Sequence, residues 1–276
     1  IVNHVPFYEY YPGWGARTVV IDGSGQLNHT LEKSNHILDL AKIANEYGSD
    51  VLPFESVTLG KGWASDPATI DVGNRKITIV TKELHLKDSI ELLSEEDGYL
   101  EIVVIGQKNG TLVAGDFTSD LLNVQAPKSS NLRFIVYESE TEITLNTKGG
   151  HGNTFVGTVF SENLNLNAAT AYSGNFISAN GKSIVIDNVG ASLDSQLIYA
   201  PMAHLTLGGG TLKGVIVVGS YTPGNTGTSF IFDPLTAQNL IDEIDHPLFD
   251  FGEGSEGGIE IDGSLDFYDV IQEVDE

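Results

Sequence analysis

The chain has no cysteine, which excludes disulfides, thiolate metal sites and a catalytic thiol. Positive charge is scarce: 14 Lys and Arg stand against 38 Asp and Glu, for a net charge of −24. A nucleic-acid backbone would be repelled by such a chain, so nucleic acid is excluded as a partner. An anionic polysaccharide would need a bridging cation. After Lys213 there is no Lys or Arg at all. No run approaches the roughly 18 apolar residues of a membrane-spanning helix, so no membrane insertion is expected. A signal peptide is also missing and residue 1 is Ile rather than Met, which reads as a mature or trimmed product.

Catalytic signatures are equally sparse. The seven His (His4, His29, His36, His85, His151, His204, His246) form no HExxH or HxxxH pair, and no GxSxG elbow marks a nucleophile. Gly208-Gly209-Gly210 precedes an apolar strand rather than a helix, so it reads as a tight corner and not as a phosphate loop.

What is present is a repeat. From about residue 77 to 218 the same phrase recurs: apolar β-formers, a polar turn, then a second alternating strand. The copies are ITIVTKELHL (77–86), FIVYESETEITL (134–145), TVFSENLNL (158–166), FISANGKSIVI (176–186) and LIYAPMAHLTL (197–207). Taken as equivalent, Val159, Ile177, Ile198 and Val217 fall 18, 21 and 19 residues apart. A period near twenty without helical spacing predicts a parallel, right-handed β-solenoid, whose coils bury their apolar faces only against their neighbours. YLEIVVIG (99–106) and TLVAG (111–115) read as a further coil, and the acidic stretch 91–97 as an exposed insertion.

The flanks read differently. Residues 30–47 carry an apolar stripe (Leu31, Ile37, Leu38, Ala41, Ala44) ending at Gly48, which predicts a helix that caps the first coil. The expected organisation is an N-terminal cap and irregular lead-in over 1–76, solenoid coils over 77–235, and an acidic, Gly-rich tail over 236–276. Asp233-Pro234 is a good N-cap and N1 pair for a short helix to about residue 245. A hairpin is expected across 258–271, turning at Asp262-Gly263.

Residues 158–235 carry a resemblance. An apolar strand (Leu197, Ile198) leads to Tyr199-Ala200-Pro201, then an alternating strand to Leu207, a Gly-rich turn (Gly208 to Gly210), a GVIVV strand from Gly214, and FDPL. This resembles the β-helical module of bacterial surface proteins, in PilX-like pilus-associated proteins and choice-of-anchor A type adhesin domains. The resemblance implies an extracellular or cell-surface location and an adhesive or structural role, with no catalytic residues to carry over.

Candidate sites follow. The aromatic stretch Phe7, Tyr8, Tyr10, Tyr11 and Trp14 is the expected interaction surface, for a surface glycan, a protein ligand or self-association into a filament. Asp242, Asp245, Asp250, Glu253, Asp262 and Asp266 supply hard oxygen ligands and make calcium the one cofactor to consider. His85 and His204 hold the same place in their coils and are expected on an outward row. Asn28 and Asn109 begin N-x-T sequons. The three Arg (Arg17, Arg75, Arg133) lie outside the best-formed coils, and Asp187, Asp194 and Asp233 stand alone. The reading is therefore a non-catalytic protein. The alternative is a polysaccharide lyase or hydrolase on a β-helix, with Glu138, Glu140, Glu142 and Glu162 as its carboxylates.

Overall fold

The structure is a computed structural model that describes residues 8–9, 19–21, 26–31, 37–61, 67–95, 97–108, 111–136, 143–149, 153–169, 171–187, 196–223 and 228–233. The chain divides into two compact units, Ile1–Ala237 and Gln238–Glu276, and every described residue belongs to the first. In chain order its elements are β1 (Tyr8–Glu9), β2 (Val19–Ile21), β3 (Gln26–Leu31), β4 (Ile37–Asp39), α1 (Leu40–Tyr47), β5 (Val51–Lys61), β6 (Ala68–Asp71), β7 (Lys76–Lys87), β8 (Ser89–Leu93), β9 (Tyr99–Lys108) and β10 (Thr111–Ala114). They continue as β11 (Asp116–Ser119), β12 (Asn123–Gln125), β13 (Leu132–Val136), β14 (Ile143–Asn146), β15 (Thr154–Ser161), β16 (Leu164–Ala168), β17 (Ala171–Ser178), β18 (Ser183–Ile186), β19 (Gln196–Leu207), β20 (Thr211–Pro223) and β21 (Ser229–Phe232). The described protein is mostly β, with a large parallel sheet and one α-helix.

The parallel pairings sort into three ladders that the chain visits in turn. The first joins residues 51–54 of β5 to β7, β9, β13, β15, β17, β19 and β20. The second links β3, the far half of β5, the far half of β7, and β11. It is found again in β14, β16, β18 and the far halves of β19 and β20. The third runs β4, β6, β8, β12, β15 and β17, and is found again in β20 with β21.

Each rung adds one buried residue directly above another. Along the first ladder Leu52, Ile79, Ile102, Phe134, Val159, Phe176 and Ile198 are all buried in one continuous core. Phe155 and Tyr172 stack nearly parallel beside it, with ring centroids 5.2 Å apart. Every rung can therefore satisfy its backbone through the neighbouring strands while its side chains remain dry.

The register corrects the grouping made from spacing. Val159 sits under Phe176, then Ile198, then Ile216. Ile177 and Val217 belong to the adjacent row, Phe160–Ile177–Tyr199–Val217, on the opposite face of the strands. A slip of one residue reverses the face, and here both rows are apolar, so hydropathy could not choose between them.

Four further expectations change. The helix spans only Leu40–Tyr47, because residues 26–31 and 37–39 are strands committed to parallel ladders. It opens at Asp39, whose side chain accepts from the Lys42 N–H at 2.7 Å, and ends at Gly48, in left-handed geometry (φ 76°). Leu40 and Ala44 are the buried helical residues; Ile37 and Ala41 are not. The segment 99–115 is not a coil of its own: β10 turns back antiparallel on β9, Thr111 opposite Lys108. The described part of the lead-in carries regular strands, since β5 and β6 are full members of the ladders. Within the acidic stretch, Glu91 to Leu93 are strand residues paired to β6 rather than an insertion. The expected C-terminal helix and hairpin lie outside the described residues.

Candidate interaction surfaces

Several buried polar side chains are bound to backbone and to one another between neighbouring strands. Asn175 accepts from the Leu197 N–H at 3.0 Å and donates to the Thr158 hydroxyl at 3.0 Å; Thr158 in turn donates to the Ser129 carbonyl at 3.0 Å. Asn165 accepts from the Lys182 and Ser183 N–H groups at 2.8 and 2.9 Å. The Ser178 hydroxyl accepts from the Leu164 and Gly181 N–H groups. Asn131 donates to the Gly98 carbonyl at 2.7 Å and Gln196 to the Tyr172 carbonyl at 2.8 Å. These contacts join strands of neighbouring rungs, so the groups hold the parallel sheet together.

One charged cluster lies on the first ladder. Arg133 is directly beside Glu101 in register, their charged ends 4.0 Å apart, and the Arg133 guanidinium lies 4.6 Å from the centre of the Tyr99 ring. Lys76, paired with Tyr99, sits 5.9 Å from the same ring. Burial, reinforced by Glu101 and opposed by Arg133, raises the Tyr99 phenol above its ordinary range. Arg133 is thus in the middle of a well-formed ladder, contrary to the sequence expectation. The β9–β10 excursion lengthens the path between the paired strands, so Glu101 and Arg133 are 32 residues apart and a twenty-residue period gave no reason to pair them.

The outward faces fall into two kinds. On the second ladder His85 bonds Thr118 at 2.6 Å and His204 bonds Ser220 at 2.8 Å, each across one rung, in the outward row that their spacing predicted. On the first ladder the outward row is apolar over eight rungs: Pro53, Val80, Val103, Ile135, Phe160, Ile177, Tyr199 and Val217. The middle four are buried and the end four half-buried. Unbroken apolar runs such as IVVI and VIVV, without alternation, were the signal for a sheet covered on both sides.

The last described strands, β20 and β21, expose residues at core positions. Tyr221 lies in register on buried Leu205, and Phe230 on buried Leu212. Their rings meet edge to face at 5.3 Å, yet 38% of Tyr221 and 46% of Phe230 remain exposed, with Ile231 at 51% and Phe232 at 50%. At the other limit of the ladders Ile37 and Val51 are each 51% exposed.

The residues singled out from sequence are mostly outside this description. Phe7, Tyr10, Tyr11 and Trp14 are outside it, and Tyr8 is placed only as a strand residue paired with Ile21. Asp242, Asp245, Asp250, Glu253, Asp262 and Asp266 lie outside it too, as do Glu138, Glu140 and Glu142. Glu162 occupies the turn between β15 and β16, where its carbonyl accepts from Ser178 and Asn180. Among the described residues no group of three or more His, Asp or Glu is placed to hold a metal ion, and no helix is long and apolar enough to cross a membrane. The chain matches no protein-family model, no curated protein and no solved structure.

Proposed function

We propose that this protein is a non-catalytic surface protein of a bacterium, acting outside the cell as a structural or adhesive module. Its described part is a right-handed parallel β-solenoid closed at its first coil by α1. The observation that carries the reading is the use made of the buried polar groups. Asn131, Asn165, Asn175, Ser178 and Gln196 bond the backbone of neighbouring coils, which serves a stiff repetitive scaffold.

Two further observations agree. A net charge of −24 keeps such a surface hydrated and dispersed. The resemblance of residues 158–235 to the β-helical module of pilus-associated and adhesin proteins supplies the location and the role. A right-handed path is the rule for parallel strands joined by crossovers.

The test is a binding screen of the purified protein against surface glycans and extracellular matrix proteins, run beside electron microscopy with and without millimolar calcium. Saturable binding to one class, or regular fibres, supports the reading. Turnover of a plant or algal polysaccharide that is lost in Glu162→Gln would replace it with the lyase or hydrolase alternative.

A further inference from the structure

The second ladder carries two kinds of outward face. Over β14, β16, β18 and the far halves of β19 and β20, alternation buries Leu145, Leu166, Ile184 and Leu205 in the core and turns the residues between them outward. They form two rows of five, one running from Thr144 through His204 to Ser220 and the other from Asn146 through Thr206 to Thr222. Nine of the ten carry a hydroxyl, an amide or an imidazole, and none is Asp, Glu, Lys or Arg. A hydrated face of this size ordinarily carries roughly two or three such charges. The sheet does not forbid them: Glu83 and Asp116 lie side by side, both exposed, on the first half of the same ladder.

The face is open and its polar groups are aligned. Only Asn165 is buried, where it serves the Lys182 and Ser183 N–H groups; the other nine are exposed or half-buried. His204 bonds Ser220 at 2.8 Å and Asn167 donates to Asn146 at 3.2 Å, each across one rung. These bonds use one polar atom of the ring and of the amide, and leave His204 Nε2 and the Asn167 carbonyl for a ligand.

We propose that this face binds a neutral polysaccharide, as an extended chain lying along the ladder. This rests on the surface-protein reading and names its ligand. Charge is the first reason. The face offers no fixed charge to an ionic partner, and the rest of the chain repels an anionic glycan, since residues 1–213 alone carry 24 Asp and Glu against 14 Lys and Arg. Chemistry is the second. Protein partners are gripped through buried aromatic and apolar anchors, whereas Val185 is the one apolar residue of the ten and none is Phe, Tyr or Trp. Hydroxyl, amide and imidazole groups both donate and accept, as a polymer of hydroxyls requires. Geometry is the third. The rows repeat every roughly 4.7–4.9 Å, the spacing of paired strands, which is close to the advance of one sugar in an extended β-linked chain.

The experiment uses the full chain, with cellulose, chitin and xyloglucan as neutral probes and alginate and polygalacturonate as anionic ones. The wild type is expected to bind at least one neutral polymer saturably and neither anionic one. Its affinity should hold within about twofold from roughly 0.05 to 0.5 M salt, because no ionic group takes part. A triple variant, Asn167→Ala with Ser183→Ala and His204→Ala, removes three exposed side chains, each hydrogen bond being worth roughly two- to tenfold in affinity. Binding should weaken at least about tenfold, with circular dichroism and thermal melts verifying the fold. Glu83→Ala with Thr118→Ala, on the charged half of the ladder, should bind as the wild type does.

A wild type that binds none of the neutral polymers overturns the inference. So does binding that falls steeply with salt, survives the triple variant, or is lost instead in the double one. Saturable binding of a matrix protein, or regular fibres, with no polysaccharide bound overturns this ligand while leaving the surface-protein reading in place. A neutral polymer bound through this face and cut there, shown by new reducing ends, does the reverse.

Discussion

Removing the Asn175 side chain tests whether the buried polar network is structural. In Asn175→Ala the Leu197 N–H loses its acceptor in a buried position, and the Thr158 hydroxyl loses the donor it accepts from while retaining its own bond to Ser129. An orphaned buried donor costs about 1–3 kcal/mol, and the second bond adds roughly 0.5–1. The expected loss is therefore about 2–4 kcal/mol, a large share of the roughly 5–15 kcal/mol that holds a domain together. Asn167→Ala is the matched control, since Asn167 is exposed and donates only to the Asn146 side chain, at 3.2 Å; a change under about 0.5 kcal/mol is expected there. Urea unfolding followed by circular dichroism measures both, with equal slopes required so that midpoints compare directly. If Asn175→Ala lies within about 0.5 kcal/mol of Asn167→Ala, the buried polar groups are not what ties the neighbouring strands together, and the proposed scaffold role loses its main support.

Three other outcomes are expected. Burial lifts the Tyr172 phenol far above the ordinary value of 10.0. A raised folded pKa leaves its contribution intact below the ordinary value and removes it as pH climbs above, so the wild type should lose stability beyond about pH 10 and Tyr172→Phe should lose less. At neutral pH the same variant should lose only about 1 kcal/mol, because the stack on Phe155 survives and just the bond from the Tyr172 hydroxyl to the Asn175 carbonyl disappears. Gly174→Ala would drive its Cβ into the Gly157 carbonyl of the neighbouring strand, for a loss of about 1–3 kcal/mol, while Gly209→Ala has open space and should change thermal stability little. Arg75→Ala should lower the melting temperature by a few degrees, since Arg75 ties α1 to the strands through Asp50 and Asn45 at 2.7 and 3.1 Å; no change would mean that α1 is held by Leu40 and Ala44 alone.

Composition and pattern were enough for the class of the protein. β-branched and aromatic runs broken by Gly, Asn and Ser make strands and corners whatever the context, and a period near twenty without helical spacing selects parallel neighbours. The outward place of His85 and His204 and the left-handed helix end at Gly48 were legible for the same reason, since each depends on a few adjacent residues. What tertiary structure alone decided was phase and partnership. Ile177 and Phe176 are equally apolar, and only the pairing of Phe176 with Ile198 determines which one faces the core. Residues 30–39 suit a helix locally, yet residues 30–31 and 37–39 are strand, because pairing on β5 and β6 outweighs a fraction of a kcal/mol of helix propensity per residue. Asn109-Gly110 between two apolar runs was a readable hairpin signal, masked by the expectation of another coil. Glu101 and Arg133, and the exposed rings of Tyr221 and Phe230, became neighbours only by stacking. Hydropathy ranks how much each residue gains from leaving water, but which residues meet once they have left is set by the register of the strands.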